Sequence, residues 1–264
     1  MTNDKNAEAS GVYAERYVAF IDILGFSEHV RRSERVADDA QKLINVLNKT
    51  ARTWIGTDLQ PTHDVLGVDF RSTAFSDCIV LSEAVSPKAL QYLLFRVSQF
   101  ALDLLASGFL LRGAIAKGLL HHSERVVFGP AFLNAYDSER NVAKYPRIIV
   151  DRGTHEDFLD LPNAQLNEVF ERFIRPDLRH ADDGPVFVDI FSGYRIAGHI
   201  PHERVRMIGE ACRESIQEKL DRSIHNPAHY EKLRWLAIYW NSVRPQTDHV
   251  IFPAARDFQK RNGA

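Results

Sequence analysis

The sequence predicts an α+β fold, in which a mainly antiparallel sheet is elaborated from the ferredoxin-like βαββαβ plan and covered by helices on one side. Two observations lead to this prediction. Short runs rich in β-branched and aromatic residues alternate with longer runs of helical periodicity, in the order β-α-α-β-β-α-β-β-α-β. Two of the strand-like runs, residues 68–73 and 78–83, are so close in sequence that a hairpin turn must join them.

The composition narrows the class of protein. With 264 residues, 45% of them hydrophobic, the chain can bury a full core. Its formal net charge of −2 argues against a protein that coats nucleic acid. No apolar run approaches the ~20 residues that span a bilayer, and residues 1–11 lack the apolar segment of a signal peptide. We therefore expect a soluble, cytoplasmic protein in which Cys78 and Cys212 are structural thiols of a reducing compartment.

The first strand covers residues 17–21, which are almost entirely apolar, as a buried strand requires. The strand ends on one acid, Asp22, and the turn residues Gly25 and Ser27 follow. An apolar strand that delivers a carboxylate into a glycine-containing turn suggests a functional site.

The predicted hairpin repeats this arrangement, because Asp77 lies in its turn, 55 residues after Asp22 (77 − 22). If the two strands are neighbours, the two carboxylates converge. Convergent carboxylates bind hard cations such as Mg²⁺, and a pair of such ions supports phosphoryl or nucleotidyl transfer. The alternative is that each Asp only shapes its turn or caps a helix, and the pattern leaves both interpretations open.

Helical periodicity predicts the elements between these strands. A helix over residues 26–32 begins with Ser27 as its N-cap, and an amphipathic helix over residues 37–54 packs on the sheet. A long helix over residues 87–107 follows the hairpin and ends at Gly108.

The next strand, residues 110–116, carries Arg112 among apolar residues. Burying a guanidinium costs free energy unless it is paired, so Arg112 should face an anion. That anion belongs either to the protein, as a structural ion pair, or to a ligand.

Residues 117–125 are predicted to form a hairpin-like connection to a short strand at 126–128, with His121 and His122 as ordinary exposed loop residues. A helix over residues 130–142 is more polar than a core helix needs, so one of its faces is expected to line a cleft. Its polar residues are Asn134, Tyr136, Asp137, Glu139 and Arg140. A strand over residues 146–150 completes the sheet.

The C-terminal third carries fewer chemical signals. We predict a helix over residues 158–173, a short strand over 185–191, and amphipathic helices over 201–220 and 227–243. The last helix bears an aromatic stripe, which is typical of a core and occasionally of a dimer face.

Four motifs occur in order along residues 17–150: FIDILGFS, FSDCIVLS, LLRGAIAKG and FGPAFLNAYDSER. They resemble the two metal motifs, the glycine-containing strand and the transition-state helix of class III nucleotidyl cyclases. A closer likeness, in RGAIAKG, FLNAYDSERNVAKYPRIIV and the C-terminal RWLAIYWN, is to the bacterial pyrimidine cyclases of Pycsar anti-phage defence. Members of that group make cyclic UMP or cyclic CMP, which activates a separate effector.

The resemblance implies a two-metal site. Asp22 and Asp77 would hold two Mg²⁺ or Mn²⁺ ions, with the Ile23 carbonyl as a further ligand. One ion would activate the ribose 3′-hydroxyl for in-line attack on the α-phosphorus, and the other would neutralise the departing pyrophosphate.

The resemblance also implies the phosphate contacts. Backbone amides of Gly25, Phe26 and Ser27, at a helix start, would bind the β and γ phosphates, and Arg112 would pair with the triphosphate.

Departures from the family pattern bear on the base and on the transition state. The two residues that read adenine in adenylyl cyclases correspond to Thr73 and Val126, which argues against ATP and favours UTP, with CTP as the second choice. The family's transition-state Asn and Arg are four residues apart, whereas Asn134 and Arg140 are six apart, so Tyr136 is a further candidate.

The resemblance further implies a homodimer with sites at its interface. The net charge and the absence of a long apolar run predict neither nucleic acid nor a membrane as a partner. We expect a disordered N-terminus (1–11), a nucleotidyl cyclase catalytic domain (12–151) and a mostly helical extension packed on it (152–264). A catalytically silent nucleotide-binding sensor or scaffold with the same fold is the alternative, motivated by the altered spacing of the transition-state residues.

Overall fold

The sheet is organised around its long first strand, β1 (Ala14–Leu24). The structure is a computed structural model that describes residues 11–51, 69–161, 177–191, 202–243 and 249–253. Three more strands form the first half of the sheet: β2 (Arg71–Phe75), β3 (Cys78–Ala84) and β4 (Leu110–His122). They lie in the order β2-β3-β1-β4, and each strand is antiparallel to its neighbours.

Helices connect these strands in the pattern that the sequence predicts. They are α1 (Phe26–Ser33) and α2 (Ala37–Ala51) between β1 and β2, and α3 (Pro87–Ala106) between β3 and β4. The resulting βαββαβ unit, with its first and third strands adjacent, is the ferredoxin-like plan.

The second half of the chain extends the sheet beyond β4. Its elements are β5 (Val127–Phe128), α4 (Pro130–Asn141), β6 (Ile148–Val150), α5 (Arg152–Leu159), β7 (Asp177–His180), β8 (Val186–Asp189), α6 (His202–Arg222) and α7 (Pro227–Val243). The order continues β4-β6-β8-β7, with β6 parallel to β4 and the other pairs antiparallel, while β5 pairs with β4 separately. The predicted α+β class with a mainly antiparallel sheet is confirmed.

Alternate residues of β1 enter two cores of unequal size. Ile21 and Ile23 lie in the larger core, which helices α3, α6 and α7 cover, whereas Val18 and Phe20 lie in a smaller core with Ala135 of α4. The expectation of helices on one side only is therefore wrong. A strand covered on both faces has apolar residues at odd and even positions alike, which is the pattern of residues 17–21.

Two predicted details near the sheet are also wrong. Helix α1 begins after Gly25, whose φ of 75° suits glycine, and Ser27 is not its N-cap. Residues 117–122 continue β4 rather than forming a connection, since β1 pairs with β4 as far as Leu120 and β5 pairs with His121 and His122.

His122 is buried and hydrogen-bonded, not an exposed loop residue. His121 is half-buried, and its Nδ1 lies 2.9 Å from the Val12 carbonyl oxygen. Polar residues at strand positions look like a loop in sequence, and only the pairing partners distinguish the two.

The C-terminal elements differ mainly in their boundaries. Helix α5 spans Arg152–Leu159, where Asp151 caps it by accepting a hydrogen bond from the Thr154 N–H, so the predicted start at residue 158 is wrong. Strand β7 was not predicted. Asp160 and Leu161 end the helix instead of continuing it. Residues 162–173 of the predicted 158–173 helix, residues 52–54 of the 37–54 helix and residues 1–10 of the predicted disordered N-terminus lie outside the described residues. Among the described helices, none combines the length and apolar character needed to cross a membrane.

Candidate functional site

Asp22 and Asp77 meet at one end of the central strands. Asp22 lies directly opposite Cys78 in the β1–β3 register, and the Ile23 N–H donates to the Asp77 carbonyl oxygen at 3.1 Å. One carboxylate oxygen from each Asp and the Cys78 Sγ all lie within 4.8 Å of one another. The sheet thus brings together two carboxylates that are distant in sequence, as expected for neighbouring strands.

The start of α1 lies next to these carboxylates, two residues beyond Ile23. The Gly25 carbonyl accepts hydrogen bonds from the Glu28 and His29 N–H groups, at 3.0 and 3.2 Å, which closes the first turn. Phe26 is half-buried and Ser27 is exposed. The first N–H groups of an α-helix have no partner within the helix, so this turn offers amide donors beside Asp22.

Arg112 faces Asp22 across the β1–β4 register, and its Nε donates to the Glu139 carboxylate. Glu139 is buried and comes from α4, on the face of the sheet that carries the smaller core. Of the two alternatives for the Arg112 anion, the structure contains the protein one. The guanidinium remains partly exposed, since its side chain retains 22% of its accessible surface.

Negative charge accumulates at this end of the sheet. Burial, helped by the neighbouring Glu139 and Asp77, raises the pKa of Asp22 to about 6, although Arg112 opposes the shift. Burial and the same acids raise the pKa of the Cys78 thiol to about 11.

A divalent cation would relieve this repulsion, and carboxylate oxygens are the donors that Mg²⁺ and Mn²⁺ prefer. The donor set therefore fits such an ion, with Asp22 and Asp77 as the residues that would hold it.

Sequence reasoning missed two members of this cluster. The sequence predicts Glu139 only as part of a polar helix face and Cys78 only as a structural thiol, whereas both lie beside Asp22 and Asp77. The signal for Cys78 was its position directly after Asp77. For Glu139 the sequence held no local signal, because its partners are Arg112 and Asp22 on other elements.

The two predicted base-reading positions lie on β2 and directly before β5. The Thr73 Oγ1 lies 3.0 Å from the Nε2 of His122. Val126 is 49% exposed, in the turn between β4 and β5, where its carbonyl accepts a hydrogen bond from the Ser123 N–H.

The predicted transition-state residues all lie on α4, two of them exposed and one packed on the sheet. Asn134 and Arg140 are exposed, and Tyr136 is partly exposed with its ring edge-on to Phe20, 5.4 Å between centroids. Glu139, rather than these three, is the α4 residue that contacts Arg112.

Comparison with known proteins gives matches only among solved structures. No protein-family model matches the chain, and no curated protein matches it. The catalytic core of a rhodopsin-guanylyl cyclase with converted specificity, solved in complex with ATPalphaS, is similar at 18% identity and a TM-score of 0.36, covering 67% of this chain and 95% of that one.

Two further similar structures are also cyclases by name. A bacterial light-regulated adenylyl cyclase is 14% identical with a TM-score of 0.41, covering 76% of this chain and 57% of that one. An adenylate/guanylate cyclase/hydrolase from Silicibacter pomeroyi is 12% identical with a TM-score of 0.37, covering 67% and 95%. Likenesses of this strength carry no argument about the activity of the present chain.

Proposed function

We propose that this protein is a pyrimidine nucleotide cyclase, which converts UTP, or CTP as the second choice, into the 3′,5′-cyclic monophosphate and pyrophosphate. The observation that carries the proposal is the convergence of Asp22 and Asp77 beside the first turn of α1 and opposite Arg112. These positions fall in three of the four sequence motifs that resemble class III nucleotidyl cyclases.

The chain's own groups divide into those that bind cations and those that bind phosphate. Asp22 and Asp77, with the Ile23 carbonyl, would hold two Mg²⁺ or Mn²⁺ ions. When bound, such ions lower the pKa of the ribose 3′-hydroxyl and neutralise charge on the leaving pyrophosphate. The amides of Gly25, Phe26 and Ser27 would orient the β and γ phosphates.

Arg112 is suited to recognise the triphosphate because its guanidinium is held in place but partly exposed. Its Nε is committed to Glu139, while its terminal nitrogens form no hydrogen bond within the described residues. A triphosphate would therefore use the terminal nitrogens, and Glu139 would orient the guanidinium from behind.

The exposure of Asn134, Tyr136 and Arg140 supports a homodimer. Within the described residues, exposed Asn134 and Arg140 contact neither Asp22 nor Asp77, so they are available to a site completed by another copy. Thr73 and Val126 would contact the base.

We extend the proposal to a biological role through the Pycsar resemblance. The cyclic nucleotide would act as an anti-phage alarm in the cytoplasm and would activate a separate effector. The catalytic part would be residues 12–151, with residues 152–264 as an extension of the same domain.

The direct test is a Mn²⁺-supported incubation of the purified protein with ATP, GTP, CTP and UTP in parallel, with products identified by mass spectrometry. A cyclic pyrimidine monophosphate that is absent with Asp77→Ala is the expected result. A cyclic purine product would contradict the pyrimidine assignment.

The second candidate function is a silent nucleotide-binding sensor or scaffold, which the six-residue spacing of Asn134 and Arg140 favours. It predicts no cyclic product from any triphosphate, together with measurable binding of one of them by calorimetry.

A further inference from the structure

Four polar side chains from four strands form a continuous chain beside the smaller core. The Arg16 Nε lies 3.0 Å from the Ser82 Oγ, the Ser82 Oγ lies 2.8 Å from the His122 Nδ1, and the His122 Nε2 lies 3.0 Å from the Thr73 Oγ1. Arg16, Ser82 and His122 are all at least 98% buried, whereas Thr73 is only half-buried. The chain of hydrogen bonds therefore runs from the interior to the surface.

Arg16, the first residue of this chain, constrains which group donates in each hydrogen bond that follows. An arginine Nε can only donate, so the Ser82 oxygen accepts from Arg16. Within the described residues, the Ser82 hydroxyl can place its own proton in a hydrogen bond only by donating to the His122 Nδ1, and this arrangement satisfies both groups. Arg16 is itself held by Asp69, whose Oδ2 lies 2.6 Å from the Arg16 Nη1.

The tautomer of His122 sets the direction of its hydrogen bond to Thr73. Burial, together with the nearby positive charges of Arg16 and Arg71, lowers the pKa of His122 to about 4, so the ring is neutral at pH 7. A neutral ring that accepts at Nδ1 carries its proton on Nε2, which donates to the Thr73 oxygen. The Thr73 proton therefore points away from His122, and it finds no acceptor among the described residues.

Thr73 lies on the same face of the sheet as Asp22. Thr73 is opposite Val80, and Val80 is opposite Phe20, so all three side chains point to the smaller core. Asp22 is two residues beyond Phe20 and has the same orientation. Strand spacing and rise place Thr73 roughly 12 Å from Asp22, a distance comparable to the length of a nucleotide.

We infer that Arg16, Ser82 and His122 form a relay that fixes the Thr73 hydroxyl as a hydrogen-bond donor to the substrate base, so that the site selects a ring carbonyl oxygen over an amino group. The inference rests on the proposed function. At C4 of a pyrimidine, uracil offers such an oxygen and cytosine an amino group, which would leave the Thr73 proton unpaired. Thr73 is then the residue that determines specificity, and His122 is a positioning residue.

The relay is tested by competition between UTP and CTP, mixed in equal amounts with Mn²⁺, with the ratio of the two cyclic products measured by mass spectrometry. The wild-type protein should favour the uracil product. Thr73→Val keeps the shape of the side chain but removes the donor, so the preference should fall about tenfold. Thr73→Ser should keep it.

Variants of His122 and Ser82 test whether these residues act through the hydrogen bond to Thr73 or only fill space in the core. His122→Gln retains one acceptor and one donor and should preserve part of the preference, whereas Ser82→Ala frees the tautomer of His122 and should weaken the preference in a folded protein. Nitrogen NMR of histidine-labelled protein should show the His122 proton on Nε2 in the wild type. A proton on Nδ1 would overturn the relay without any assay of activity.

The remaining outcomes distinguish the inference from the proposed function. If wild-type protein makes cyclic UMP and Thr73→Val has the same product ratio, the inference is wrong and the cyclase remains. A wild-type preference for CTP also overturns it. If the wild-type protein neither cyclises nor binds any triphosphate, the proposed function fails and the inference with it.

Discussion

Asp22 illustrates a conflict between stability and binding at a single residue. Its pKa is raised to about 6 by burial and by the neighbouring acids, so the folded protein loses stability as the pH rises through 6 and the carboxylate ionises. The same ionised carboxylate is what a divalent cation requires. An ionised Asp22 therefore lowers the stability of the fold unless a bound cation offsets the loss.

We predict that Asp22→Asn raises the stability of the metal-free protein at pH 8 by about 1 kcal/mol, a value discounted from the full shift because the site is partly hydrated. Mn²⁺ should raise the melting temperature of the wild type and leave that of the variant unchanged. Asp38→Asn, at an exposed position in the first turn of α2, is the control: it should lose about 0.5 kcal/mol at most through the helix dipole and keep the Mn²⁺ effect of the wild type. Equal Mn²⁺ stabilisation of wild type and Asp22→Asn would refute the assignment.

Glu83 is a second acid whose ionisation opposes folding, at a position away from the carboxylate cluster. It is fully buried, and burial raises its pKa from 4.5 to about 8 even though Arg16 and Arg96 pull it down. The folded chain therefore holds a proton that the unfolded chain has lost between these pH values. The stability due to the protonated form is complete below pH 4.5 and is lost as the pH rises through 8.

We predict that Glu83→Gln removes this loss. The variant should match the wild type near pH 5 and exceed its free energy of unfolding by about 3 kcal/mol at pH 9, less than the full shift implies because the two arginines can approach an ionised carboxylate. Urea unfolding at both pH values measures the difference, with Glu124→Gln at an exposed site as control. A difference that does not change with pH would contradict the prediction.

At the scale of residues, local pattern reveals some of the candidate site and hides the rest. Asp22 and Asp77 could be predicted because each lies where an apolar run meets turn residues. Pairing of β1 with β3 then brings the two carboxylates together. Glu139 and His122 could not, because what makes them notable is the partner each finds across the sheet. Burial of a polar residue depends on contacts between distant segments, which one sequence does not display.

At the scale of elements, the contact between β1 and β4 positions the site, since it brings Arg112 opposite Asp22. The two backbones approach so closely at Gly113 that an added Cβ would lie 2.6 Å from the Phe20 carbonyl oxygen. That oxygen belongs to the backbone of a central strand and cannot move without parting the two strands.

We predict that Gly113→Ala lowers the free energy of unfolding by about 2 to 4 kcal/mol through this overlap. Gly153→Ala is the matched control, because its added Cβ would meet nothing nearer than the Lys117 Cβ at 3.8 Å. In helix α5 the control should be neutral or slightly stabilising. Chemical denaturation of both variants measures the effect, and equal stabilities would show that the strands can separate at no cost.

Most helices and strands could be predicted from the sequence, whereas some faces and edge strands could not. Helix α3 has a proline at its first position and Ser86 as its cap, both visible in sequence. The face on which α4 packs was not predictable, because the same apolar residues of β1 suit a strand covered on one side or on both. Among the described strands, β7 pairs only with β8, and it carries charged residues, so its sequence resembles a loop.

At the scale of the whole molecule, the two faces of the sheet are covered unequally. Helices α3, α6 and α7 bury the larger core, while α4 covers the other face and leaves apolar side chains on the outside. Leu133 of α4 is 58% exposed, and Phe75 at the hairpin tip is 82% exposed. An interface between two copies on this face would cover such residues and bring Asn134, Tyr136 and Arg140 to another copy's carboxylates.

We predict that two inactive variants restore each other's activity when they are mixed, because each site of the proposed homodimer draws on both subunits. Asp77→Ala lacks a cation ligand, and Asn134→Ala combined with Arg140→Ala lacks the exposed helix groups. Random exchange makes half of the dimers mixed, and one of the two sites in each mixed dimer is intact, so about a quarter of the wild-type activity should return. A mixture of Asp77→Ala with Asp22→Ala is the control and should stay inactive, since both changes fall on the same side of the site. Sedimentation of the wild type should show a dimer, and an active monomer or a mixture without recovered activity would rule out the shared site.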